Sequence, residues 1–287
     1  MGQVRAALIF AGFVAGVIIY VPAQMVVAIL APSRARVPGQ IFFRYFKRLA
    51  GITIRQEGAP LDAREVGGYL VASNHVSYFD VAALGPTHPM AFVAKSEVAG
   101  WPVIGWLAGL AGTIFVNRKS RIASVKDKRV IRARLDRGEA IVLFPEGTSS
   151  DGQRILPFKS ALMGAVDEAG DADARDIWVQ PVTLTYKANW GLPMSRRTRP
   201  AFAWYGDMEF IPHKWGAYVA GPFEVVVRFH PPVRAGDFAS RKALTGWCEA
   251  VIRAGLEHDL GGKTDAPVLP ERPQRPASST PKAVAAE

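Results

Sequence analysis

A histidine and an aspartate in the segment 74–80, which reads NHVSYFD, are the residues of this sequence best suited to proton transfer. The segment directly follows an apolar run that predicts a strand. On a continuous helix His75 and Asp80 would lie about 140° apart, whereas across a strand–turn–helix junction they can meet. A carboxylate that accepts the Nδ1 proton of an imidazole fixes its tautomer and leaves the other nitrogen free to take up a proton near neutral pH. We therefore expect a general base here, with a structural histidine in a turn as the alternative.

The base needs a partner to activate, and the chain offers no protein nucleophile of a familiar kind. No serine elbow of the form Gly-x-Ser-x-Gly occurs, so we expect His75 to act on a substrate hydroxyl. The single cysteine, Cys248, excludes a disulfide framework and multi-cysteine metal sites, and we expect it to be a buried, small apolar residue. The other histidines show no ligand spacing, so no metal site is predicted.

Two further motifs put polar residues at the ends of predicted strands. Residues 144–150 read FPEGTSS, a small-residue turn whose backbone N–H groups can form an anion nest. Glu146 would repel a nearby phosphate, so we assign it to a hydroxyl, a cation or a backbone amide. Residues 112–118 read GTIFVNR and place the guanidinium of Arg118 at another strand end. A tight turn and an exposed surface arginine are the alternatives.

Strands and helices alternate around these motifs. Helical patterns are predicted over Ser120–Arg137, Lys159–Ala169 and Asp237–Leu260, with Asp237 as a candidate cap. Alternation of this kind predicts an α/β fold with a mixed, mostly parallel sheet flanked by helices. Apolar or β-branched runs predict the strands Ile52–Arg55, Tyr69–Ala72, Ala91–Ala94, Thr113–Val116, Ala140–Phe144, Trp178–Tyr186 and Glu224–Phe229.

The N-terminal segment is long and apolar enough for a membrane. Residues 6–31 carry no charge and would extend about 39 Å as a helix, against about 30 Å for a bilayer core. Pro22 and Gln24 weaken the second half, so the helix is expected either to span or to dip into the bilayer. Basic residues follow it, which places the body of the protein on the cytoplasmic side of the inner membrane. A cleaved signal peptide is the alternative, although the apolar run is longer than a signal core.

Residues 40–51 continue this pattern with aromatic residues on one helical face and cations on the other. Such a helix suits the headgroup region of a bilayer, and an ordinary amphipathic helix packed on the domain is the alternative. The formal net charge of +10 indicates an anionic partner. Because the basic residues adjoin a lipid-seeking segment, we expect a membrane and not nucleic acid.

The chain divides into three parts by composition. Residues 1–50 are predicted to be a membrane anchor with an interfacial helix, and residues 51–260 the α/β domain. Residues 261–287 are rich in proline and small polar residues, which is typical of a disordered tail.

The motifs in this order resemble the glycerolipid acyltransferase family, of the bacterial 1-acylglycerol-3-phosphate acyltransferase type. The blocks are NHVSYFD, GTIFVNR, FPEGTSS and VQPV at 179–182, and the resemblance covers residues 42 to 260. Such enzymes use acyl-CoA or acyl-carrier-protein thioesters directly, with no acyl-enzyme, metal or other cofactor. The resemblance implies that His75 is the general base on a lysolipid hydroxyl and that Asp80 orients it.

The resemblance also implies roles for residues outside the histidine block. Arg118, Glu146, Gly147 and Thr148 match positions that bind the head region of the acceptor. Pro181 matches a block that shapes the pocket. Lys95 matches a recurring position near the active site, and we expect Lys95 or the amides near Gly147 to face the developing oxyanion.

One departure bears on the acceptor. Lysophosphatidate enzymes usually carry an arginine after the glutamate–glycine–threonine triplet, where this chain has Ser149. Residues 95–106, 150–161 and 203–208 resemble the subgroup that acylates lyso-ornithine lipid, whose headgroup is an amino acid. The expected acceptor is therefore lyso-ornithine lipid, with lysophosphatidate as the alternative. A hydrolase that activates water and a catalytically idle membrane-binding protein are the rival classes.

Overall fold

The computed structural model describes residues 1–31, 34–117, 121–166, 176–263 and 265–273, with 121–124 described as backbone only. The α-helices are α1 Gly2–Leu30, α2 Val37–Ala50, α3 Ala63–Val66, α4 Phe79–Leu84, α5 Ser96–Ala99, α6 Ile104–Leu110, α7 Arg121–Asp136, α8 Phe210–Ala220 and α9 Arg241–Leu260. The strands are β1 Ile52–Glu57, β2 Tyr69–Ser73, β3 Ala91–Lys95, β4 Ile114–Val116, β5 Ala140–Leu143, β6 Trp178–Asn189, β7 Leu192–Pro193, β8 Phe223–Phe229 and β9 Val233–Arg234.

The strands form one mixed sheet in the order β1-β8-β6-β2-β5-β3-β4, with β7 and β9 pairing with β6. Strands β6, β2, β5, β3 and β4 run parallel to one another, and β1 runs parallel to β8. Among the described residues, β8, β7 and β9 run antiparallel to β6. Every residue of β2 and β5 is buried, which is the burial expected of central strands covered on both faces. The predicted α/β fold with a mostly parallel sheet is confirmed.

The observed bounds or helix type differ from the prediction for three of the predicted helices. The stretch predicted from Lys159 is a 3₁₀ helix over Ser160–Val166, and its predicted last residues, 167–169, lie outside the described residues. The helix predicted from Asp237 begins at Arg241, because the Ser240 side chain accepts the Ala243 amide and caps it. The helix predicted from Ser120 is described from residue 121 onward.

Helix α1 lies against α2 along much of its length. Pro22 falls inside α1, which nevertheless continues to Leu30. The ring of Phe13 contacts Phe42 and Phe46 of α2 at centroid distances of 5.9 and 5.6 Å. Part of the apolar face of α2 is therefore covered by α1, while Ile41 stays 58% exposed.

The exposed face of α1 is apolar, and α1 is long and apolar enough to cross a membrane. Its exposed large hydrophobic residues include Leu8, Phe10, Ile18, Ile19, Met25, Val26 and Ile29. The Arg5 side chain donates to the carbonyls of Ala50 and Tyr218, which ties the start of α1 to the domain.

Part of the predicted tail has contacts with the domain. The Trp247 indole donates to the Pro270 carbonyl at 3.4 Å, and Arg272 pairs with Asp237. These contacts place Pro270 and Arg272 against the domain, within the part of the predicted tail that the structure describes. Residue 264 and residues 274–287 lie outside the described residues.

Candidate active site

The two motif loops meet at one edge of the sheet because their strands are parallel neighbours. Strand β2 leads into the histidine loop and β5 into the glutamate loop, and the two strands pair from Tyr69 with Ala140 onward. The Ser150 amide donates to the His75 carbonyl at 2.8 Å, and the His75 amide donates to a Glu146 carboxylate oxygen at 2.8 Å. The carboxyl ends of parallel strands are where α/β sheets place their ligand sites.

His75 and Asp80 are in direct contact, as the spacing predicts for a strand–turn–helix junction. His75 Nδ1 lies 2.7 Å from Asp80 Oδ2, and this oxygen also accepts the amides of Val76 at 2.8 Å and Ser77 at 3.1 Å. Asp80 is fully buried, so its carboxylate is held by fixed donors and not by water. The ionised carboxylate accepts from Nδ1–H, which leaves His75 Nε2 as the nitrogen that can accept a proton.

One face of the His75 ring packs against another aromatic ring, and the side chain is partly exposed. It stacks on Phe144 at a centroid distance of 4.3 Å and an interplanar angle of 18°. Its side chain is 23% exposed and borders a large groove. An imidazole with a fixed tautomer and an accessible second nitrogen is arranged for general base chemistry on a molecule in that groove.

Tyr186 of β6 also forms a hydrogen bond with Asp80. Its hydroxyl donates to Asp80 Oδ1 at 2.8 Å, and burial raises the pKa of Tyr186 well above its usual value, so the hydroxyl keeps its proton. Asn74 anchors the same loop, because its side-chain amide exchanges two hydrogen bonds with the Leu184 backbone at 2.9 and 2.8 Å. Sequence reasoning gave neither residue a role, since both partnerships join segments more than a hundred residues apart.

Glu146 lies beneath the loops and not in the groove. It is 1% exposed, and its two carboxylate oxygens accept the backbone amides of His75 and Leu156 at 2.8 and 2.9 Å. Burial raises the pKa of Glu146 to about 7, although the two amide donors oppose the shift. This geometry is the backbone-amide option considered from the residues alone. It makes Glu146 a clamp between the histidine loop and residues 144–156.

The remaining predicted residues fall into three groups. Lys95, Gly147 and Thr148 border the groove with His75. Gly147 has φ +76°, a conformation that favours glycine, but its own amide already donates to the Phe144 carbonyl at 3.1 Å. Pro181 is buried inside β6 and is not among the residues that border the groove. Arg118 lies outside the described residues.

The groove that His75 borders has a volume of about 450 Å³ and mostly apolar walls. One wall comes from the N-terminal helices, with Phe13, Phe42 and Phe46. An aromatic cluster stands nearer the histidine loop and consists of Tyr78, Trp101, Trp204 and Phe210. An apolar groove bordered by a candidate base suits a substrate with a hydrocarbon chain and a hydroxyl near it.

Cys248 is fully buried in α9, as expected for a small apolar residue. Burial raises the pKa of its thiol to about 12, so the thiol is protonated at neutral pH. It takes no part in the site.

Comparisons with known proteins agree with this geometry. The family described as Acyltransferase matches residues 55–185. The chain is 39% identical to a lyso-ornithine lipid O-acyltransferase of Brucella abortus over 92% of this chain and 98% of that protein. It is 33% identical to a 1-acyl-sn-glycerol-3-phosphate acyltransferase of Neisseria meningitidis over 74% of this chain and 78% of that protein.

A solved structure shares the fold. The 1-acyl-sn-glycerophosphate acyltransferase of Thermotoga maritima aligns with a TM-score of 0.65 over 93% of this chain and all of that one, at 23% identity. Fold and family are thus established independently of each other.

Proposed function

Because the chain belongs to the acyltransferase family, we propose that it moves a fatty acyl group from an acyl thioester to the free hydroxyl of lyso-ornithine lipid, which gives ornithine lipid. The donor is acyl carrier protein or CoA carrying the fatty acid. His75 is the general base, Asp80 orients it, and no acyl-enzyme forms.

The chemistry needs only what the site contains. The acceptor hydroxyl gives its proton to His75 Nε2 while its oxygen attacks the thioester carbonyl carbon. The tetrahedral intermediate then expels the thiolate, which takes the proton from the imidazolium and leaves as a thiol. Because a thioester is already activated, alignment of hydroxyl and carbonyl in one groove supplies much of the rate enhancement. Oxyanion stabilisation supplies more, and Lys95 at the groove is our candidate donor.

The similarity of the chain to lyso-ornithine lipid O-acyltransferases at 37–39% identity supports the acceptor. Ser149 supports it too, because it stands where lysophosphatidate enzymes usually have an arginine. The second candidate acceptor is lysophosphatidate, favoured by the 33% identity to 1-acyl-sn-glycerol-3-phosphate acyltransferases. The roles of Arg118, Gly147 and Thr148 at the acceptor headgroup belong to this proposal.

The location of the protein in the cell is also part of the proposal. Helix α1 and its exposed apolar face support association with the inner membrane. The basic residues that follow α1 support a domain on the cytoplasmic side, where acyl carrier protein and CoA thioesters are made.

The observation that carries the proposal is the 2.7 Å contact of Asp80 with His75, whose side chain borders an apolar groove. To test it, purified protein is given one acyl thioester with lyso-ornithine lipid or lysophosphatidate, and products are identified by mass spectrometry. We expect acylated lyso-ornithine lipid as the main product and none from His75→Ala. Thioester cleavage without any acceptor would indicate a hydrolase instead, and full activity of His75→Ala would remove the base.

A further inference from the structure

A lysine with no role in the chemistry above lies in the wall of the active-site groove. Lys214 is on α8 and borders the same groove as His75. Its ammonium stands over the ring of Phe13 at 4.7 Å and the ring of Phe210 at 5.3 Å from the centroids. No carboxylate pairs with it among the residues that the structure describes.

Helix α8 is fixed relative to the histidine loop, so the position of Lys214 is fixed too. The Tyr78 hydroxyl donates to His213 Nδ1 at 2.9 Å, and His213 Nε2–H donates to the Pro200 carbonyl at 3.2 Å. Burial lowers the pKa of His213, which keeps the ring neutral in this tautomer. Tyr78, only three residues after His75, also contacts Phe210 at a centroid distance of 4.8 Å.

The surroundings of Lys214 are poor for an unpaired cation. Burial among apolar groups lowers the pKa of Lys214 to about 8, so most of it is protonated at neutral pH. Two aromatic faces stabilise an ammonium, but by less than a paired anion does in such a setting. An anion that enters the groove would therefore gain a partner that is already desolvated and already in place.

We propose that Lys214 binds the anionic headgroup of the acceptor lysolipid. This rests on the function proposed above. In lyso-ornithine lipid the anion is the free carboxylate of the amino acid, and in lysophosphatidate it is the phosphate. In both lipids the anion and the hydroxyl that is acylated are only a few bonds apart, so both must be placed in the groove that Lys214 shares with His75. Lys214 is thus a specificity-determining residue that holds the head while His75 acts on the hydroxyl.

The test compares acceptors that differ only in the anion. Lyso-ornithine lipid is offered as the free acid and as its methyl ester, which has no carboxylate, to the wild type, Lys214→Met, Lys214→Arg and the control Lys242→Met. Lys242 is an exposed lysine on α9, away from the groove. The value of kcat/KM for each acceptor is measured at saturating thioester, and KM for the thioester at saturating acceptor.

We expect the wild type and Lys242→Met to prefer the free acid by about ten- to a hundredfold, the range of a hydrogen bond to a charged group. In Lys214→Met this preference should fall to about one, and Lys214→Arg should restore part of it. The KM for the thioester should stay unchanged, which also reports that the variant is folded.

Two results would overturn the assignment. One is an acid-to-ester preference in Lys214→Met equal to that of the wild type, whether or not kcat/KM falls equally for both acceptors. The other is a raised KM for the thioester alone. If the wild type uses lysophosphatidate and not lyso-ornithine lipid, the proposed acceptor is wrong. Lys214 is then tested with lysophosphatidate against monoacylglycerol, which lacks the phosphate. A wrong acceptor and a wrong role for Lys214 therefore give different results.

Discussion

At the scale of single residues, three neighbours hold His75 in place. Asp80 fixes Nδ1, the ring of Phe144 supports one face, and Glu146 holds the backbone amide. The side chain of His75 is 23% exposed and borders the groove. The direction of the base is therefore set by buried neighbours, and changes at those neighbours should affect the rate more than binding.

The first prediction concerns Asp80→Asn. An asparagine side chain donates to Nδ1 and so moves the imidazole proton to Nε2, where it blocks proton uptake. We expect kcat to fall by about 10²–10⁴, the usual contribution of a general base, with little change in KM for the thioester. Steady-state kinetics on purified protein measures both constants.

The matched control is Tyr186→Phe, which removes one hydrogen bond from Asp80 but leaves the contact with His75. Its loss in kcat should be much smaller, about tenfold or less for one buried hydrogen bond. An Asp80→Asn protein with wild-type kcat would contradict the tautomer argument.

The second prediction concerns Glu146 and pH. Because its pKa is raised from 4.5 to about 7, the folded protein holds this proton more tightly than the unfolded chain does. The resulting contribution to stability is fully present below about pH 4.5 and is lost as the pH rises through 7. The whole contribution is about 3–4 kcal/mol, since one pKa unit equals about 1.4 kcal/mol, and about 2–3 kcal/mol of it is lost between pH 5 and pH 8.

Glu146→Gln has no ionisable group at this position. Chemical denaturation of the wild type and of this variant at pH 5 and pH 8 therefore isolates the contribution of Glu146 ionisation to stability. The free energy of unfolding of the wild type relative to Glu146→Gln should fall by that amount between the two pH values. A constant difference would show that the two amide donors outweigh burial.

At the scale of elements, the close packing of α1 on α2 depends on two glycines. A Cβ at Gly12 would lie 2.7 Å from Leu49 Cδ1, and one at Gly16 would lie 2.5 Å from Tyr45 Cε1. The Tyr45 hydroxyl also donates to the Gly12 carbonyl at 2.6 Å. Small residues four apart are how apolar helices approach closely enough to pack without a hydrophobic driving force. This contact also places Phe13 and Phe42 in the wall of the groove.

The third prediction is that Gly16→Leu separates the two helices. Overpacking of this kind costs about 1–3 kcal/mol, so the midpoint of thermal unfolding in detergent should drop by several degrees. Ala15→Leu adds the same bulk on the exposed face of α1 and should leave the midpoint unchanged. Equal midpoints for both variants would mean that the helices do not pack as described.

At the scale of the whole molecule, the reacting edge of the sheet and the apolar N-terminal helices border one groove. His75 stands at one part of the groove, and Phe13 and Phe42 form another wall. The opposite face of α1 is exposed and apolar. Under the proposed function, the helix whose residues wall the groove is therefore also the helix expected to contact the bilayer.

The fourth prediction is that Ile19→Asp weakens membrane binding. Ile19 is 73% exposed on α1, and an aspartate in the hydrocarbon core costs about 2.5–3.5 kcal/mol. Co-sedimentation with anionic lipid vesicles should show binding weakened by about a hundredfold or more, since 1.4 kcal/mol corresponds to a factor of ten. Val268→Asp also replaces an exposed apolar residue, 90% exposed and outside the helices, and should bind as the wild type does. Unchanged binding of Ile19→Asp would place this face of α1 outside the bilayer.

Local sequence patterns determined much of this protein. The predicted strands, the contact of His75 with Asp80 and the burial of Cys248 were all readable because each depends on nearest neighbours or on apolar periodicity. Among the short helices, α4 and α5 carried no usable signal because each has six residues or fewer. Helix α8 was also missed, although it is longer.

Only the tertiary structure decided what surrounds the base. Tyr186 reaches Asp80 across 106 residues of chain, Glu146 clamps backbone amides below the loops, and Lys214 enters the groove from a helix that the sequence did not predict. Such contacts follow from strand order and from the packing of distant segments. The sequence by itself therefore determined the proposed catalytic pair, while the fold determined its support, its groove and the place of Lys214 in the groove wall.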